Sequence, residues 1–214
     1  RGVRCAASAS SAVGDGGGGR LLAFSPLAMV VRDKPHFGHD AAFAQRRSAG
    51  VFDGVGGWVY DGVDPGHFTR ALANACAQIA QHAHSEGGGR GECPRAVLRA
   101  AVRAVDEQDT ERALMGTCTA TVASFTSRTE LAVANLGDSG FAVLRGARVT
   151  FKSDEQQHDF NFPFQLGTDS ADLPSHAARV AHRVRVGDVV IAGSDGLFDN
   201  VPLDDVARVV AQRA

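Results

Sequence analysis

The stretch GDVVIAGSDGLFDN at residues 187–200 contains a short apolar run, typical of a buried β-strand, followed by an Asp-Gly pair. The same arrangement occurs in VFDGVGGW at 51–58, where an apolar strand pattern ends in another Asp-Gly pair. In ANLGDSGF at 134–141, a third apolar run ends in Gly-Asp-Ser. Three predicted strands in different parts of the chain therefore each end in a carboxylate beside a glycine.

These strand ends supply carboxylates that suit a hard divalent cation. The acidic residues concerned are Asp40, Asp53, Asp138, Asp195 and Asp199. Magnesium and manganese prefer oxygen ligands and retain bound waters, and glycines let backbone carbonyls approach closely. An Asp-Gly pair is also a common turn signal, so a turn is the simpler interpretation of any single position. Their recurrence at distant strand ends favours a metal site.

Length and composition exclude several classes of protein. The 214 residues predict one domain, and 44% hydrophobic and 21% charged residues argue against disorder throughout. The balance of 22 basic and 24 acidic residues argues against a nucleic-acid binder, and no apolar stretch is long enough to cross a bilayer. The four cysteines are far apart, and Cys76 and Cys118 are predicted to be small buried residues. An enzyme or a binding domain remains.

The first 20 residues are predicted to be a flexible tail ahead of a folded domain over 21–214. Residues 1–14 contain two arginines, several Ser and Ala, and no acidic residue, which is typical of an organelle transit peptide or its remnant. An Ala/Ser-rich linker is the alternative interpretation. The run DGGGG at 15–19 is predicted to be flexible. We expect an organellar protein, with chloroplast favoured over mitochondrion and cytoplasm as an alternative.

The order of the predicted elements favours an α+β domain. Strand patterns come first, at 21–31, 41–45 and 49–53. Pro26 confines part of the first strand to a sheet edge. Apolar residues spaced by three and four then predict a helix over 66–85, and a second helix begins near Pro94.

After these helices the apolar period becomes two. The threonines of 117–123 alternate with small apolar residues, the pattern of a half-exposed strand. Further strands are predicted at 131–135, 140–144, 149–152, 184–186 and 189–192. A last helix begins near 203 and carries Val206, Val209 and Val210 inward. Strands, then helices, then a run of strands indicate mostly antiparallel sheets.

Five motifs together carry a family resemblance. They are HDAAF at 39–43, FDGVGGW at 52–58, GTCTAT at 116–121, ANLGDSGF at 134–141 and GDVVIAGSDGLFDN at 187–200. In this order and spacing the chain resembles the 2C-type metal-dependent Ser/Thr protein phosphatases, from about residue 21 to its end. The string KSDEQQHDFNFPFQLG at 152–167 and the Val of DGVGG are similar to a mitochondrial and plastid subgroup of that family.

The resemblance implies a fold and a metal centre. The fold is two mostly antiparallel β-sheets packed as a sandwich with flanking helices, in αββα layers. A binuclear Mg²⁺ or Mn²⁺ centre lies in the cleft, with Asp53 bridging both ions, the Gly54 carbonyl on one of them and Asp195 on the other. Asp138 and Asp199 match positions that help to bind a weaker third ion in relatives.

The resemblance also implies a reaction. Asp40 matches an acidic residue near the ions that acts through water, and Lys34 or Arg32 is the candidate contact to the phosphate. A metal-bound hydroxide would hydrolyse phosphoserine or phosphothreonine on a protein, without a phosphoenzyme. The expected partner is a phosphoprotein substrate, with no nucleic acid and no membrane span, and the expected state is a monomer.

Two departures from the family pattern leave alternatives open. Val55 stands where many members have a His that protonates the leaving group; His39 or His158 could replace it, although a solvated surface position is the simpler interpretation of each. The family's last metal-binding Asp has no counterpart before Ala214, so we expect a C-terminally incomplete domain. A pseudophosphatase that binds phosphoproteins without turnover is the main alternative function.

Other interpretations are weaker. A metal enzyme that uses His36 and His39 lacks a partner Glu or Cys, and the glycines of 54–57 lack the Lys of a phosphate-binding loop. The stretch 154–167, polar and aromatic by turns, is predicted to form a flap beside the cleft, with a packed connector between strands as the alternative.

Overall fold

The computed structural model describes residues 4–11, 22–30, 38–86, 93–109 and 114–212, with the side chains of 4–11, 22–30 and 84–86 left aside. In chain order the strands are β1 (Arg4–Ser11), β2 (Leu22–Val30), β3 (Ala41–Ala44), β4 (Ser48–Phe52), β5 (Thr117–Cys118), β6 (Ala120–Phe125), β7 (Glu130–Leu136), β8 (Gly140–Arg145), β9 (Arg148–Lys152), β10 (Gln157–Asp159), β11 (Phe162–Pro163), β12 (Leu166–Gly167), β13 (Ala178–Arg183) and β14 (Asp188–Gly193). The helices are α1 (Gly66–Glu86), α2 (Pro94–Gln108), α3 (Asp195–Phe198) and α4 (Leu203–Ala211), with 3₁₀ turns at Gly56–Asp61 and Pro174–His176.

Ten of these strands form two five-stranded sheets. The first sheet has the order β2-β1-β14-β8-β9, and the second has the order β13-β7-β6-β4-β3. Within the described residues every strand pairing is antiparallel. The short strands β5 and β12 pair with each other, and β10 and β11 form a small hairpin. The predicted antiparallel α+β fold is confirmed.

Three apolar layers order the sheets and helices. Between the sheets, Val51 of β4 lies in one cluster with Phe141 of β8 and Val190 of β14. The next residue along β4, Phe52, points the other way and packs with residues of α1 and α2. Ile191 of β14 packs with residues of α3 and α4. Since neighbouring strand residues face opposite sides, the period of two produces an αββα sandwich.

The helix patterns are confirmed. On α1, Phe68, Leu72 and Cys76 repeat every four residues and are buried. On α2, Pro94 occupies the first turn, where its missing N–H costs no hydrogen bond. The buried residues that follow on α2 are Val97, Leu98, Ala101 and Val105. Within the described residues no helix has the length and apolar content that crossing a bilayer requires.

The threonine strand is not half-exposed as predicted. All residues of β5 and β6 are buried, because the helix layer covers one face of the sheet and the other sheet covers the second face. The hydroxyls of Thr117 and Thr121 are satisfied inside the protein, by Gln165 and Asn135 respectively. Buried hydroxyls with internal partners avoid the cost of losing water.

Two predictions in the last third of the chain are wrong. The strand expected at 184–186 lies earlier, as β13, whose alternate residues are exposed, so its apolar content is low. Val186 is instead exposed in the turn that follows. On α4, Val206 and Val210 are partly buried, but Val209 is 53% exposed and Ala207 faces the core. The predicted inward position is therefore confirmed for Val206 and Val210 and is wrong for Val209.

The N-terminal tail also differs from the prediction. Residues 4–11 form β1, which pairs with β14 on one side and β2 on the other. Ala and Ser in this stretch give no apolar pattern, so the sequence does not reveal the pairing. The edge position of Pro26 is confirmed, since β2 is the outermost strand and Pro26 lies opposite Ala7 at a register shift. The glycine run at 15–19 lies outside the described residues.

Candidate metal centre

The ends of paired strands bring three carboxylates together. Asp40 precedes β3 and Asp53 follows β4, and the pairing of Ala41 with Phe52 sets these two aspartates side by side. Asp195 follows β14 and begins α3. Asp53 lies within hydrogen-bonding reach of the carboxyl groups of both Asp40 and Asp195. The two sheets therefore meet at Asp53.

The electrostatics of this cluster penalise negative charge. Burial, followed by the charges and hydrogen bonds of Asp40 and Asp195, raises the pKa of Asp53 well above its usual value. Burial and the charge of Asp195 raise the pKa of Asp138 to about 6. Burial and the same neighbour also raise the pKa of Asp199. Carboxyl groups that resist ionisation in this way ionise readily once a cation lies among them.

The loop that carries Asp53 is held by main-chain bonds to the segment 117–119. The N–H of Thr119 donates to the Asp53 carbonyl over 2.9 Å, and the N–H of Val55 donates to the Thr117 carbonyl over 2.9 Å. Between them, Gly54 forms a single β-bridge with Cys118. The position of Asp53 is therefore set by its backbone, independently of its charge.

Gly54 has no room for a side chain. A Cβ there would lie 2.6 Å from the carbonyl oxygen of His39 and 2.8 Å from the Thr69 hydroxyl. Only glycine lets the chain pass this closely beside its neighbours. The predicted role of the Gly54 carbonyl as a metal ligand stays a prediction.

Asp138 occupies the turn between β7 and β8. Gly137 before it has a φ of 97°, and a Cβ would lie 2.6 Å from the carbonyl oxygen of Phe164. The hydroxyl of Ser139 lies 2.7 Å from that of Thr119, which joins this turn to the segment that holds Asp53. The turn that carries Asp138 is thus joined to the segment that holds Asp53.

The donor set fits a divalent cation that keeps much of its water. Among the described residues no group of three or more His, Cys, Asp or Glu side chains is arranged to hold a metal ion on its own. Asp40 and Asp195 instead each lie beside the half-buried carboxyl group of Asp53. One or two carboxylates with several waters is the usual environment of Mg²⁺. The cluster is therefore suited to a hydrated hard cation rather than to a closed structural site.

Two charged residues near the cluster were missed. Glu155 raises the pKa of Asp138 and Asp199, and Lys152 opposes the rise at Asp199. The Lys152 ammonium lies 3.3 Å from Glu155 and 5.5 Å from the ring centre of Phe198. Charged residues in a polar stretch resemble a solvated surface, so the sequence offers no signal for them. The predicted cations Lys34 and Arg32 lie outside the described residues.

The histidine candidates have different environments. His158 stacks on Phe164 with 4.0 Å between ring centres, and its Nε2 lies 2.9 Å from Asp172. The stretch 154–167 contains the β10–β11 hairpin and is packed through this pair, while Phe160 at its tip is 94% exposed. The His39 backbone lies against Gly54. His36 lies outside the described residues.

Comparison with known proteins places this geometry in a family. No protein-family model matches the chain. A rice protein (Oryza sativa subsp. japonica), provisionally named protein phosphatase 2C 24, is 42% identical over 181 residues, which are 83% of this chain and 55% of that protein. The human protein phosphatase PTC7 homolog is 39% identical over 179 residues, 78% of this chain and 57% of that protein. The chain belongs to the 2C-type protein phosphatase family.

Solved 2C-type structures show the same fold. The photosystem II phosphatase PBCP superposes with a TM-score of 0.71 at 28% identity, over 81% of this chain and 66% of that one. The catalytic domain of the phosphatase PstP, solved with two manganese ions, has a TM-score of 0.59 at 17% identity, over 97% and 84% of the two chains. This 2C-type chain spans just over half the length of the rice and human relatives.

Proposed function

We propose that this 2C-type chain hydrolyses phosphoserine and phosphothreonine on proteins with the help of divalent cations. The observation that carries the proposal is the contact of the half-buried Asp53 with both Asp40 and Asp195 where the two sheets meet. A group of carboxylates this close is costly without a cation, so its presence favours a metal centre. The names of the rice and human relatives support the phosphatase reaction.

Each carboxylate has a proposed role toward Mg²⁺ or Mn²⁺. Asp53 would contact two cations, the Gly54 carbonyl one of them and Asp195 the other. Asp138 and Asp199 would hold a weaker third cation. When bound, these ions activate water and offset charge on a phosphoryl group.

The remaining groups act around that centre. Asp40, whose carboxyl group lies within hydrogen-bonding reach of Asp53, would hold ordered water beside it. Lys34 or Arg32 stays the predicted phosphate contact. Val55 has no proton to give a leaving group, and the Nε2 of His158 is paired with Asp172.

The test is Mn²⁺-dependent phosphate release from a phosphothreonine peptide. Asp53→Asn and Asp195→Asn should each lose more than about a hundredfold in turnover, because even outer partners of metal ligands cost about 10- to 100-fold. Asp204→Asn, at an exposed position in the first turn of α4, is the matched control and should keep full turnover. Equal activity in all four proteins would contradict the proposed site.

A phosphoprotein-binding pseudophosphatase is the second candidate function. Two observations favour it. Val55 stands in place of a proton donor, and no group of three or more His, Cys, Asp or Glu side chains among the described residues is arranged to hold a metal ion. Calorimetry separates the two functions, since a pseudophosphatase would bind the phosphothreonine peptide while releasing no phosphate at saturating Mn²⁺.

We propose an organellar location, with the chloroplast favoured. The similarity to the photosystem II phosphatase PBCP supports it. Imaging the chain fused at its C-terminus to a fluorescent protein in leaf cells tests the proposal: signal within plastids is expected. Diffuse cytoplasmic signal would contradict it.

A further inference from the structure

A continuous series of hydrogen bonds leads from the neighbourhood of Asp53 to the β10–β11 hairpin. The indole N–H of Trp58 donates to the hydroxyl of Thr117 over 2.8 Å. That hydroxyl donates to the side-chain oxygen of Gln165 over 2.5 Å. The backbone N–H of Gln165 donates to Asp172 over 3.0 Å, and the same carboxylate oxygen lies 2.9 Å from His158 of β10.

The direction of the central bond is fixed by chemistry. An indole N–H can only donate, so the Thr117 oxygen accepts it and the Thr117 hydrogen is left for Gln165. Thr117 is 3% exposed, whereas its two partners Trp58 and Gln165 are half-buried. Removing this one hydroxyl would leave a donor on Trp58 and an acceptor on Gln165 without a partner, which costs more than an ordinary surface bond.

Thr117 also holds the loop that carries Asp53, through its backbone. Its carbonyl accepts the N–H of Val55, and the next residue, Cys118, bridges to Gly54. One residue therefore contacts the loop after Asp53 with its main chain and joins two other segments with its side chain. The two segments are the 3₁₀ turn with Trp58 and the connector with Gln165.

At its far end the series reaches a fixed point of the hairpin. Asp172 is 7% exposed, and it accepts the Gln165 N–H as well as pairing with His158. His158 stacks on Phe164 and tilts against Phe162. Movement of the hairpin would therefore displace Gln165, and through the bond between their side chains it would displace Thr117 as well.

We propose that Thr117 is a positioning residue that couples divalent-cation binding at Asp53 to the placement of the β10–β11 hairpin. The inference rests on the proposed function only in that Asp53 binds the cation. We call the hydrogen bonds that join Trp58, Thr117 and Gln165 the junction. By linkage, a change that loosens the junction lowers the affinity for the cation, and a bound cation holds the junction more rigidly.

The chain carries its own probe of this junction. Trp58 is its single tryptophan, so the intrinsic emission reports directly on the group that donates to Thr117. In the wild type, Mn²⁺ should shift the emission maximum as well as bind in calorimetry. The wavelength of the maximum is the readout, since paramagnetic quenching changes intensity alone.

The decisive variant is Thr117→Val, which keeps the shape and removes the hydroxyl. We expect the Kd for Mn²⁺ to rise about tenfold, at the lower end of the effect of outer partners of metal ligands. The Mn²⁺-induced shift of the Trp58 emission should be lost. Thr117→Ser retains a hydroxyl and should restore both.

Thr121→Val is the matched control. Thr121 is equally buried on β6, and its hydroxyl donates to Asn135 rather than to the junction. This variant should lose thermal stability to a similar extent and keep the wild-type Kd for Mn²⁺. Gln165→Leu removes the same central bond from the half-buried connector. It replaces Thr117→Val if that protein does not fold, and its Kd for Mn²⁺ should also rise about tenfold.

The outcomes separate the two proposals. If Thr117→Val and Gln165→Leu lower stability with an unchanged Kd and an unchanged emission shift, the coupling is overturned while the metal site stands. If the wild type itself binds no Mn²⁺, the proposed function and the coupling are overturned together. Asp172→Asn, at the far end of the series, should raise the Kd in the same direction by a smaller factor.

Discussion

Asp53 shows how one residue can be costly to the fold and useful to the site. Its backbone is held by Thr119 regardless of its charge, while its carboxyl group lies beside Asp40 and Asp195. The main-chain bonds thus hold Asp53 in a position where the negative charges of Asp40 and Asp195 disfavour its own ionisation. Strain of this kind is typical of functional sites and is relieved when the ligand binds.

Asp138 gives a measurable form of the same cost. Burial and the charge of Asp195 raise the pKa of Asp138 to about 6, whereas an Asp in an unfolded chain has a pKa of about 3.9. A raised pKa in the folded protein means that the folded state binds the extra proton. The contribution to stability is therefore complete below about pH 4 and is lost as the pH rises through about 6.

The prediction compares the wild type with Asp138→Asn in EDTA. The two proteins should differ least in Tm at about pH 4 or below, where Asp138 is protonated in the folded state and largely protonated in the unfolded chain. At pH 7.5 the variant should be more stable by about 2–4 °C, which corresponds to about 1 kcal/mol in a chain of this size. Calorimetry at both pH values measures this difference. A difference that is largest at the lower pH would contradict the raised pKa.

At the level of elements, the sequence predicts what local periodicity determines. α1 and α2 follow from uninterrupted spacings of three and four, and β14 follows from its apolar run. The sequence does not predict β13, because its alternate residues face solvent and its partner strand β7 lies far away in the sequence. β1 fails for the same reason, since pairing rather than composition makes it a strand.

Burial is the property that the sequence predicts least well. The alternating threonines of β5 and β6 predict a half-exposed strand. They are buried because the helices cover one face of their sheet and the other five-stranded sheet covers the second face. The candidate carboxylates could be named in advance because strand ends and family motifs mark them. Thr117, Glu155 and Lys152 could not be, since their roles depend on partners brought close by the folded chain.

In the whole molecule, the carboxylate cluster around Asp53 lies where the two five-stranded sheets meet. Asp40 and Asp53 belong to the sheet that carries the long helices, whereas Asp195 and Asp138 lie at ends of β14 and β8 in the other sheet or beside it. A cation at this point would contact both sheets. Its binding should therefore stabilise the packing of the sandwich as a unit, and not one loop alone.

The prediction is a shift in thermal unfolding with Mn²⁺. At 100 times the Kd, binding to the folded state alone adds about 2.7 kcal/mol, or about 5–10 °C in Tm for this chain length. The shift should be larger at pH 7.5 than at pH 5, since the raised pKa values of Asp53 and Asp138 let protons compete with the cation. Asp53→Asn should raise the Tm in EDTA, because a buried charge is removed, and should abolish the response to Mn²⁺. A variant that still responds like the wild type would place the cation elsewhere, and a larger shift at pH 5 would mean that these carboxylates do not bind it.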